Sequence, residues 1–169
     1  MIAARAPLDK DAMNLVKKLR LQKHPEGGYF KETYRSQTEV NVKGHEGMRR
    51  AATAIYYMLI GNQFSAFHRV KYDEIWHYYT GSSLILHIII DDLELSEIKL
   101  GKGKGETFQA VIKANTWFAA SLNNKKSYCL VGCTLSPGFE YDDWEIGSRD
   151  KLIKTYPRHK KSIERYTII

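Results

Sequence analysis

The chain has 169 residues, of which 43% are hydrophobic and 12% aromatic. This composition predicts one globular domain and excludes a disordered chain. Its 26 basic and 19 acidic residues give a net charge of +7, which favours anionic partners through long-range attraction. The basic residues are spread over predicted loops and chain ends instead of one recognition element, so we expect no nucleic-acid partner.

Hydropathy and the two cysteines limit where the protein can work. No run of 18 apolar residues occurs, and the longest, residues 84–90, is interrupted by His87, which excludes a membrane-spanning helix. The first residues lack the apolar core of a signal peptide, so a cytoplasmic protein is expected. Cys129 and Cys133 would lie about 13 Å apart on a predicted strand, too far for a disulfide.

Residues 9–21 predict the first element, an amphipathic helix. Ala12, Val16 and Leu19 recur at helical spacing and define an apolar stripe. Asp9 is suited to cap the helix because its carboxylate can accept a backbone N–H of the first turn.

A turn and a strand follow this helix. Pro25 biases His24 away from the helical region, and the two glycines after Glu26 supply turn geometry, so residues 24–28 predict a turn. Residues 29–35 alternate in character and predict a strand. Residues 37–49 are polar and predict a mobile loop.

From Ala51 onward, short strands separated by turn residues such as Gly61 and Asn62 predict a β-sandwich or barrel. The predicted strands span residues 51–60, 64–70, 74–80, 83–91, 94–99, 107–112, 116–121 and 126–135. Residues 148–156 predict a short helix capped by Ser148, and the basic tail, residues 158–169, is predicted to be loose.

Two neighbouring predicted strands carry the side chains with the most chemistry. Alternate residues of a strand share a face, which groups Phe64 with His68 on one strand and Glu74 with Trp76 and Tyr78 on the next. If these faces meet inside a barrel, an imidazole and a carboxyl group lie together among aromatic rings.

The spacing of His68, Glu74 and Gly81 resembles the first sequence motif of the cupin superfamily. In that motif a second histidine occupies the position of Val70, and the leading glycine lies one residue closer than Gly61. The resemblance implies a jelly-roll β-barrel, the double-stranded β-helix of cupins, with an N-terminal helix and a short C-terminal helix added to it.

Further runs resemble one small uncharacterised cupin branch that is related in fold to the dTDP-sugar epimerases. They are His-Pro-Glu-Gly-Gly at 24–28, Asp-Glu-Ile-Trp-His-Tyr at 73–78, Asn-Thr-Trp-Phe-Ala at 115–119 and Ser-Pro-Gly-Phe at 136–139. The resemblance covers roughly residues 15–157 and implies a single cupin-like domain over residues 1–169.

The resemblance also bears on metal binding. Metal-dependent cupins bring three imidazoles and one carboxylate to one ion, and this chain has only His68 and Glu74 at those four positions. Val70 and Phe118 stand at the other two positions, so the resemblance implies no metal, and we expect no cofactor.

Without a metal, His68 and Glu74 suggest acid–base chemistry, because a carboxylate near an imidazole orients the ring and favours its protonated form. Metal-free epimerase relatives use the histidine at the first motif position to remove a proton next to a carbonyl, and a tyrosine as the second proton carrier. The resemblance implies that His68 removes the proton. Tyr78, Tyr57 and Tyr34 are candidates, by position, for the second proton carrier. Alternatively, His68 and Glu74 form a buried structural pair inherited from a metal-binding ancestor.

Aromatic and basic side chains predict a small-molecule ligand, since flat rings stack on bases or sugars and guanidinium groups bind phosphates. The candidate ligand contacts are Phe30, Tyr34, Arg35, Tyr57, Arg69, Trp76 and Trp117. We expect a nucleotide or nucleotide-sugar ligand and, if the protein is catalytic, epimerisation or isomerisation of a carbohydrate. The alternatives are a non-catalytic ligand-binding module and a metal-dependent cupin enzyme.

The predicted strand at residues 29–35 also suggests an assembly. The polar loop at residues 37–49 sets it apart from the barrel, so it is free to join the sheet edge of a second copy. A homodimer is therefore expected.

Overall fold

The computed structural model describes residues 10–168, and β-strands dominate them. The elements in chain order are α1 (Lys10–Leu19), β1 (Gln22–Lys23), β2 (Tyr29–Arg35), β3 (Glu39–Asn41), β4 (Met48–Arg50), β5 (Thr53–Ile60), β6 (Phe64–Val70), β7 (Glu74–Gly81), β8 (Leu84–Ile89), β9 (Leu95–Leu100), β10 (Gln109–Ile112), β11 (Phe118–Leu122), β12 (Tyr128–Leu135), β13 (Trp144–Ile146), α2 (Arg149–Thr155) and α3 (Lys160–Arg165), with 3-10 helices at Tyr141–Asp143 and Pro157–His159.

Two antiparallel sheets enclose the main core. One has the strand order β1-β2-β5-β12-β7-β10 and the other β13-β6-β11-β8-β9, while β3 and β4 form a separate hairpin. Trp76 and Val131 of the first sheet and Leu86 and Phe118 of the second belong to one buried cluster between the sheets. The predicted all-β, cupin-type jelly roll is therefore confirmed. Among the residues described, no helix is both long and apolar enough to cross a membrane.

Helix α1 covers the outer face of the six-stranded sheet. Leu59 of β5 faces the main core, whereas its neighbour Met58 faces outward and packs with Ala12 and Val16 of α1. This alternation is the strand periodicity that the sequence shows. The predicted helix is confirmed from Lys10, and the expected cap at Asp9 lies outside the described residues.

The C-terminal helices cover the outer face of the second sheet. Phe67 of β6 and Ala119 of β11 pack with Leu152 of α2, and with Ile163 and Tyr166 at the end of the chain. The prediction of a loose tail is thus wrong, because Ile163 is fully buried and anchors α3 to the barrel. The predicted helix at residues 148–156 is confirmed as α2, although the side chain of its N-cap residue makes no capping hydrogen bond.

Replacing Tyr166 with phenylalanine is expected to lower the free energy of unfolding by about 0.5–1.5 kcal/mol, the usual net contribution of one hydrogen bond. The Tyr166 hydroxyl lies 3.2 Å from Ser121 Oγ, which lies 3.0 Å from His87 Nε2. Urea denaturation measures the change. Tyr156→Phe is the control, and equal unfolding midpoints for the two variants would contradict the prediction.

Two further predictions about the N-terminal half need correction. The predicted mobile loop at residues 37–49 contains the β3–β4 hairpin, and Arg49 of β4 is buried in an ion pair with Asp143. The segment expected to be free for a second copy is β2, which pairs along its length with β5 of its own chain and at Tyr29 and Phe30 with β1. The homodimer itself stays a prediction.

A β-bulge in β6 changes which of its side chains face the barrel interior. His68 pairs with Phe118 and Ser65 with Ala120, so β6 has one more residue between these pairs than β11 has. The extra residue turns Phe64 outward, where it packs with the Tyr166 cluster. The prediction that Phe64 shares a face with His68 is therefore wrong, because strand alternation breaks at the bulge.

Candidate active site

One pocket enters the barrel between the sheets and has a cavity volume of about 110 Å³. Side chains from β2, β5, β6, β7 and β12 line it, together with the turn at residues 24–28 and the segment 139–144. It brings together six residues that the sequence suggested, namely His68, Glu74, Phe30, Arg35, Tyr57 and Trp76.

The other four suggested residues do not line this pocket. Tyr34 is 55% exposed on β2, and the Tyr78 hydroxyl donates a hydrogen bond of 2.6 Å to the Gly81 carbonyl. Trp117 precedes the inward-facing Phe118 and therefore faces outward, into the C-terminal cluster. The Arg69 guanidinium lies 4.7 Å from the centroid of the Trp117 ring. Trp117 and Arg69, suggested as ligand contacts, therefore lie outside this pocket.

Glu26 is the site residue that sequence reasoning missed. Its carboxylate accepts a hydrogen bond of 2.8 Å from Ser65 Oγ and one of 3.3 Å from Trp144 Nε1. Its Oε2 lies 3.2 Å from His68 Nδ1. The His-Pro-Glu-Gly-Gly run that resembles the cupin branch contains this residue, but its pattern predicts only a turn. The turn delivers the carboxylate that pairs with His68.

The glycines hold that turn tightly against β6. Gly27 has a φ of +113°, and a Cβ built there would lie 2.1 Å from the Phe64 carbonyl oxygen, so no other residue fits without a shift of the backbone. The Tyr57 hydroxyl donates a 2.7 Å hydrogen bond to the Gly27 carbonyl, and the Ala66 N–H donates one of 2.9 Å to the Glu26 carbonyl. These contacts fix the position of the Glu26 side chain.

His68 is oriented by two acceptors on one side of its ring. Nδ1 lies 2.8 Å from the Ala66 carbonyl oxygen and 3.2 Å from Glu26 Oε2. A carbonyl oxygen only accepts, so Nδ1 carries the hydrogen and Nε2 holds the lone pair of the neutral ring. Nε2 has no hydrogen-bond partner within the described part of the chain. The ring is therefore set up as a base that faces the pocket.

His24, by contrast, lines the pocket as an uncharged side chain. Its Nδ1 accepts a 3.3 Å hydrogen bond from the backbone N–H of Glu26, and its ring packs edge-on to Phe30 and Tyr57. Burial lowers its pKa, although the Glu26 carboxylate acts in the opposite direction. His24 therefore adds no positive charge near pH 7.

Glu74 is a buried carboxyl group in apolar surroundings. It is 7% exposed and lies opposite Ile112 and Leu135 on the neighbouring strands. Burial, and secondarily the charge of Glu26, raise the pKa of Glu74 to about 8, so the group is largely protonated at pH 7. The Trp76 N–H opposes this rise in pKa, but the contact falls short of hydrogen-bond geometry, since Trp76 Nε1 and Glu74 Oε2 both lack partners among the described residues.

The stability of the protein should depend on pH through Glu74. When the pKa of a carboxyl group is higher in the folded protein than in the unfolded chain, the group stabilises the fold fully at pH values below its pKa in the unfolded chain. This stabilisation is lost as the pH rises to the pKa in the folded protein. Relative to Glu74→Gln, the wild-type unfolding free energy should fall between about pH 4.5 and about pH 8 and then level off. Urea denaturation at several pH values measures this, and a pH-independent difference would contradict it.

Arg35 closes one side of the pocket mouth as part of an ion-pair cluster. Its Nε and Nη2 donate to the Glu32 carboxylate at 3.0 and 2.8 Å, its Nη1 to Glu140 at 2.9 Å, and Nη2 also to the Phe139 carbonyl at 3.2 Å. Four of the five guanidinium N–H groups are thus engaged. With Glu26 inside the pocket, the carboxylates outnumber this cation, so the pocket is acidic although the chain carries +7.

The residues at the family's metal-ligand positions do not fit a metal site. Val70 lines the pocket where a second histidine would stand, and the Phe118 ring lies 4.2 Å from the His68 ring, centroid to centroid. His68 has one ring nitrogen already committed to Ala66 and Glu26. No group of three or more histidine, cysteine, aspartate or glutamate side chains in residues 10–168 is arranged to hold a metal ion.

We therefore expect purified protein to contain far less than one equivalent of transition metal, because His68 and Glu74 alone hold such an ion weakly. Elemental analysis of the protein purified without chelators measures the content. About one equivalent of iron, manganese, nickel or zinc that disappears in His68→Ala would contradict this expectation.

The sequence is similar to a known protein family and to a yeast protein. A family model described as "Cupin superfamily (DUF985)" matches residues 13–147. An uncharacterized protein of Saccharomyces cerevisiae is 29% identical over a 144-residue match, with 76% of this chain and 71% of the yeast protein covered.

Two solved structures are similar over nearly their whole length. A Shewanella oneidensis protein has a TM-score of 0.85 and 33% identity, with 93% of this chain and 97% of that chain covered. A hypothetical protein from Leishmania major has a TM-score of 0.87 and 31% identity, covering 94% and 99%. Oxalate decarboxylase from Bacillus subtilis, at 12% identity and a TM-score of 0.52 over 85% of this chain and 36% of that one, shares the fold alone.

Proposed function

Because the chain belongs to the cupin superfamily, in its DUF985 branch, and its pocket lacks the metal-ligand set, we propose a metal-independent acid–base enzyme. It moves a proton at a carbon next to a carbonyl in a carbohydrate-like ligand, as in epimerisation or isomerisation. The observation that carries the proposal is the Glu26–His68 pair, in which one ring nitrogen is held by acceptors and the other is open toward the pocket.

The proposed reaction begins at His68. Nε2 takes the proton from the carbon, and the C–H electron pair moves into a carbon–carbon double bond while the carbonyl oxygen gains negative charge. Glu26 stabilises the imidazolium that forms, because its carboxylate faces the protonated Nδ1. Return of a proton to the same carbon from the same face gives exchange alone, and return from the opposite face gives the epimer. Isomerisation requires the proton to be delivered to the former carbonyl carbon while the neighbouring hydroxyl proton passes to the enolate oxygen.

The three tyrosines suggested as second proton carriers are poorly placed for that role. Tyr57 is fully buried, donates to the Gly27 carbonyl, and has a pKa raised well above its ordinary value by burial. Tyr78 donates to Gly81, and Tyr34 lies on the surface. The second group of the reaction is therefore sought elsewhere in the pocket.

The pocket lining favours a neutral, ring-shaped ligand. Phe30, Trp76, Phe139, Tyr141 and Trp144 supply flat apolar surface of the kind that sugar rings stack on. The surplus of carboxylates opposes a phosphate inside the pocket. A free sugar or a similar hydroxylated carbonyl compound is thus the preferred substrate class.

A nucleotide or nucleotide sugar is the second candidate, and the position of Arg35 at the mouth supports it. A phosphate there would have to replace Glu32 or Glu140 as the partner of the guanidinium. Calorimetry separates the two candidates. A nucleotide ligand requires nucleoside diphosphates to bind more tightly than nucleosides and Glu32→Gln to strengthen binding, whereas the preferred class requires neither.

The proposal is tested by deuterium exchange. A panel of aldoses, ketoses and small hydroxyketones is incubated with the protein in D₂O, and loss of the proton next to the carbonyl is followed by NMR. We expect at least one compound to exchange faster than in buffer, and His68→Gln to reduce this rate to the background.

His77→Gln is the matched control, because His77 lies outside the pocket and contacts Thr134 at 3.4 Å. It should exchange at the wild-type rate. Exchange that survives in His68→Gln would show that another group is the base, and no exchange with any compound would leave the alternative of a non-catalytic ligand-binding module.

A further inference from the structure

Two buried polar atoms in the pocket have no partner. Glu74 and Trp76 lie two residues apart on the same face of β7, are 7% and 1% exposed, and both line the pocket. Glu74 Oε2 and Trp76 Nε1 are fully buried and make no hydrogen bond within residues 10–168. A buried polar atom without a partner costs about 1–3 kcal/mol, so such atoms require an explanation.

The other buried side-chain atoms of the described chain without a hydrogen bond belong to Arg49, Tyr72 and Asp143, beside the β3–β4 hairpin, where Arg49 and Asp143 form an ion pair. The unpaired side-chain atoms of Glu74 and Trp76 approach each other, short of hydrogen-bond geometry. No basic side chain in the described residues comes within ion-pair distance of Glu74, and its strand partners are apolar. A ligand in the pocket is the partner that would satisfy both atoms.

We propose that Glu74 and Trp76 form a two-donor subsite that binds the carbonyl oxygen of the ligand. The indole N–H only donates hydrogen bonds. The Glu74 carboxyl group donates as well when protonated, and its raised pKa keeps it so at neutral pH. Two donors match the two lone pairs of one oxygen atom.

This inference rests on the proposed function, because it supplies the missing half of the reaction. When His68 removes the proton, the carbonyl oxygen becomes an enolate oxygen, and donors placed in advance stabilise its negative charge in a water-poor pocket. The hydrogen bonds from Glu74 and Trp76 strengthen as this charge develops. Glu74 keeps its proton throughout and acts only as a hydrogen-bond donor to this oxygen.

The test uses 4-nitrophenol, whose oxygen accepts two hydrogen bonds, whose ring suits the aromatic lining, and whose absorbance reports ionisation. Calorimetry at pH 7 should show binding, with the bound oxygen more ionised than in solution. Trp76→Phe keeps the ring contact but removes the N–H, and we expect binding about tenfold weaker. Glu74→Gln keeps a donor and should bind within about threefold of wild type.

Trp117→Phe is the matched control, since Trp117 lies outside the pocket and packs in the C-terminal cluster. It should bind the probe within about twofold of wild type. If Trp76→Phe does not fold, the indole N–H signals of the wild-type protein provide the test, because the chain has three tryptophans and the signal of Trp76 should move with added probe while that of Trp117 stays.

Absence of probe binding, equal affinities of Trp76→Phe and Trp117→Phe, or an unmoved Trp76 signal would each overturn the subsite. A failure of the proposed catalytic function would give a different experimental result from a failure of the subsite. His68→Gln should bind 4-nitrophenol like wild type and yet catalyse no deuterium exchange. If no compound exchanges but the Trp76 dependence holds, the subsite stands and the catalytic proposal falls.

Discussion

Replacing Glu26 with glutamine is expected to slow the proton exchange catalysed by His68 by a factor of about 100 or more, within the range that a positioned general base contributes. The variant removes the negative charge 3.2 Å from His68 Nδ1 and can turn an amide N–H toward it. The imidazolium would then form without its stabilising partner. Deuterium exchange followed by NMR at saturating substrate measures the rates of the variant and the wild type.

Glu32→Gln serves as the control for Glu26→Gln, because Glu32 also lines the pocket but bonds to Arg35 and not to His68. Its exchange rate should stay within about threefold of wild type, as expected for a half-exposed ion pair. Equal rates for Glu26→Gln and wild type at saturating substrate would show that His68 works without its carboxylate partner.

Asp143→Ala is expected to lower the free energy of unfolding by about 3–5 kcal/mol, the cost of leaving a buried charge uncompensated. The side chains of Arg49 and Asp143 are 8% and 2% exposed and form an ion pair. Without Asp143, the Arg49 guanidinium stays buried with no acidic partner. Urea denaturation monitored by tryptophan fluorescence gives the unfolding free energy.

The neighbouring Asp142→Ala is the control, because Asp142 is exposed and should change stability by less than about 0.5 kcal/mol. A double variant, Arg49→Met with Asp143→Ala, should recover part of the loss, since it removes both charges. A loss below about 1 kcal/mol in Asp143→Ala would show that solvent reaches the guanidinium in the folded protein.

Most strands were predictable because their side chains alternate between two apolar environments and end at turn residues. β6 spans the predicted residues, and β7 and β12 differ by one or two residues at an end. The β3–β4 hairpin was not predictable, since Val40 is its one aliphatic β-former and the buried member is an arginine. Helix α3 was not predicted for a similar reason, because a single isoleucine, Ile163, anchors a basic segment.

The site was predictable only where its residues lie on one motif. His68, Glu74 and Trp76 belong to β6 and β7, which are consecutive in the chain and lie in opposite sheets, so local periodicity could place their inward faces together. The Glu26–His68 contact joins residues 42 positions apart across a glycine turn, which no local pattern encodes. Trp117 was misplaced because the face of β11 that turns inward is set by the pairing of Phe118 with His68.

The ion-pair cluster around Arg35 has a consequence for ligand exchange kinetics. Arg35, Glu32 and Glu140 join β2 to the segment after β12 across the pocket mouth, and their side chains are 33%, 39% and 44% exposed. Dissolved salt screens charges this exposed, whereas it barely reaches the buried Glu26. Raising the ionic strength should therefore speed both the association and the dissociation of an uncharged ligand while leaving its equilibrium affinity nearly constant.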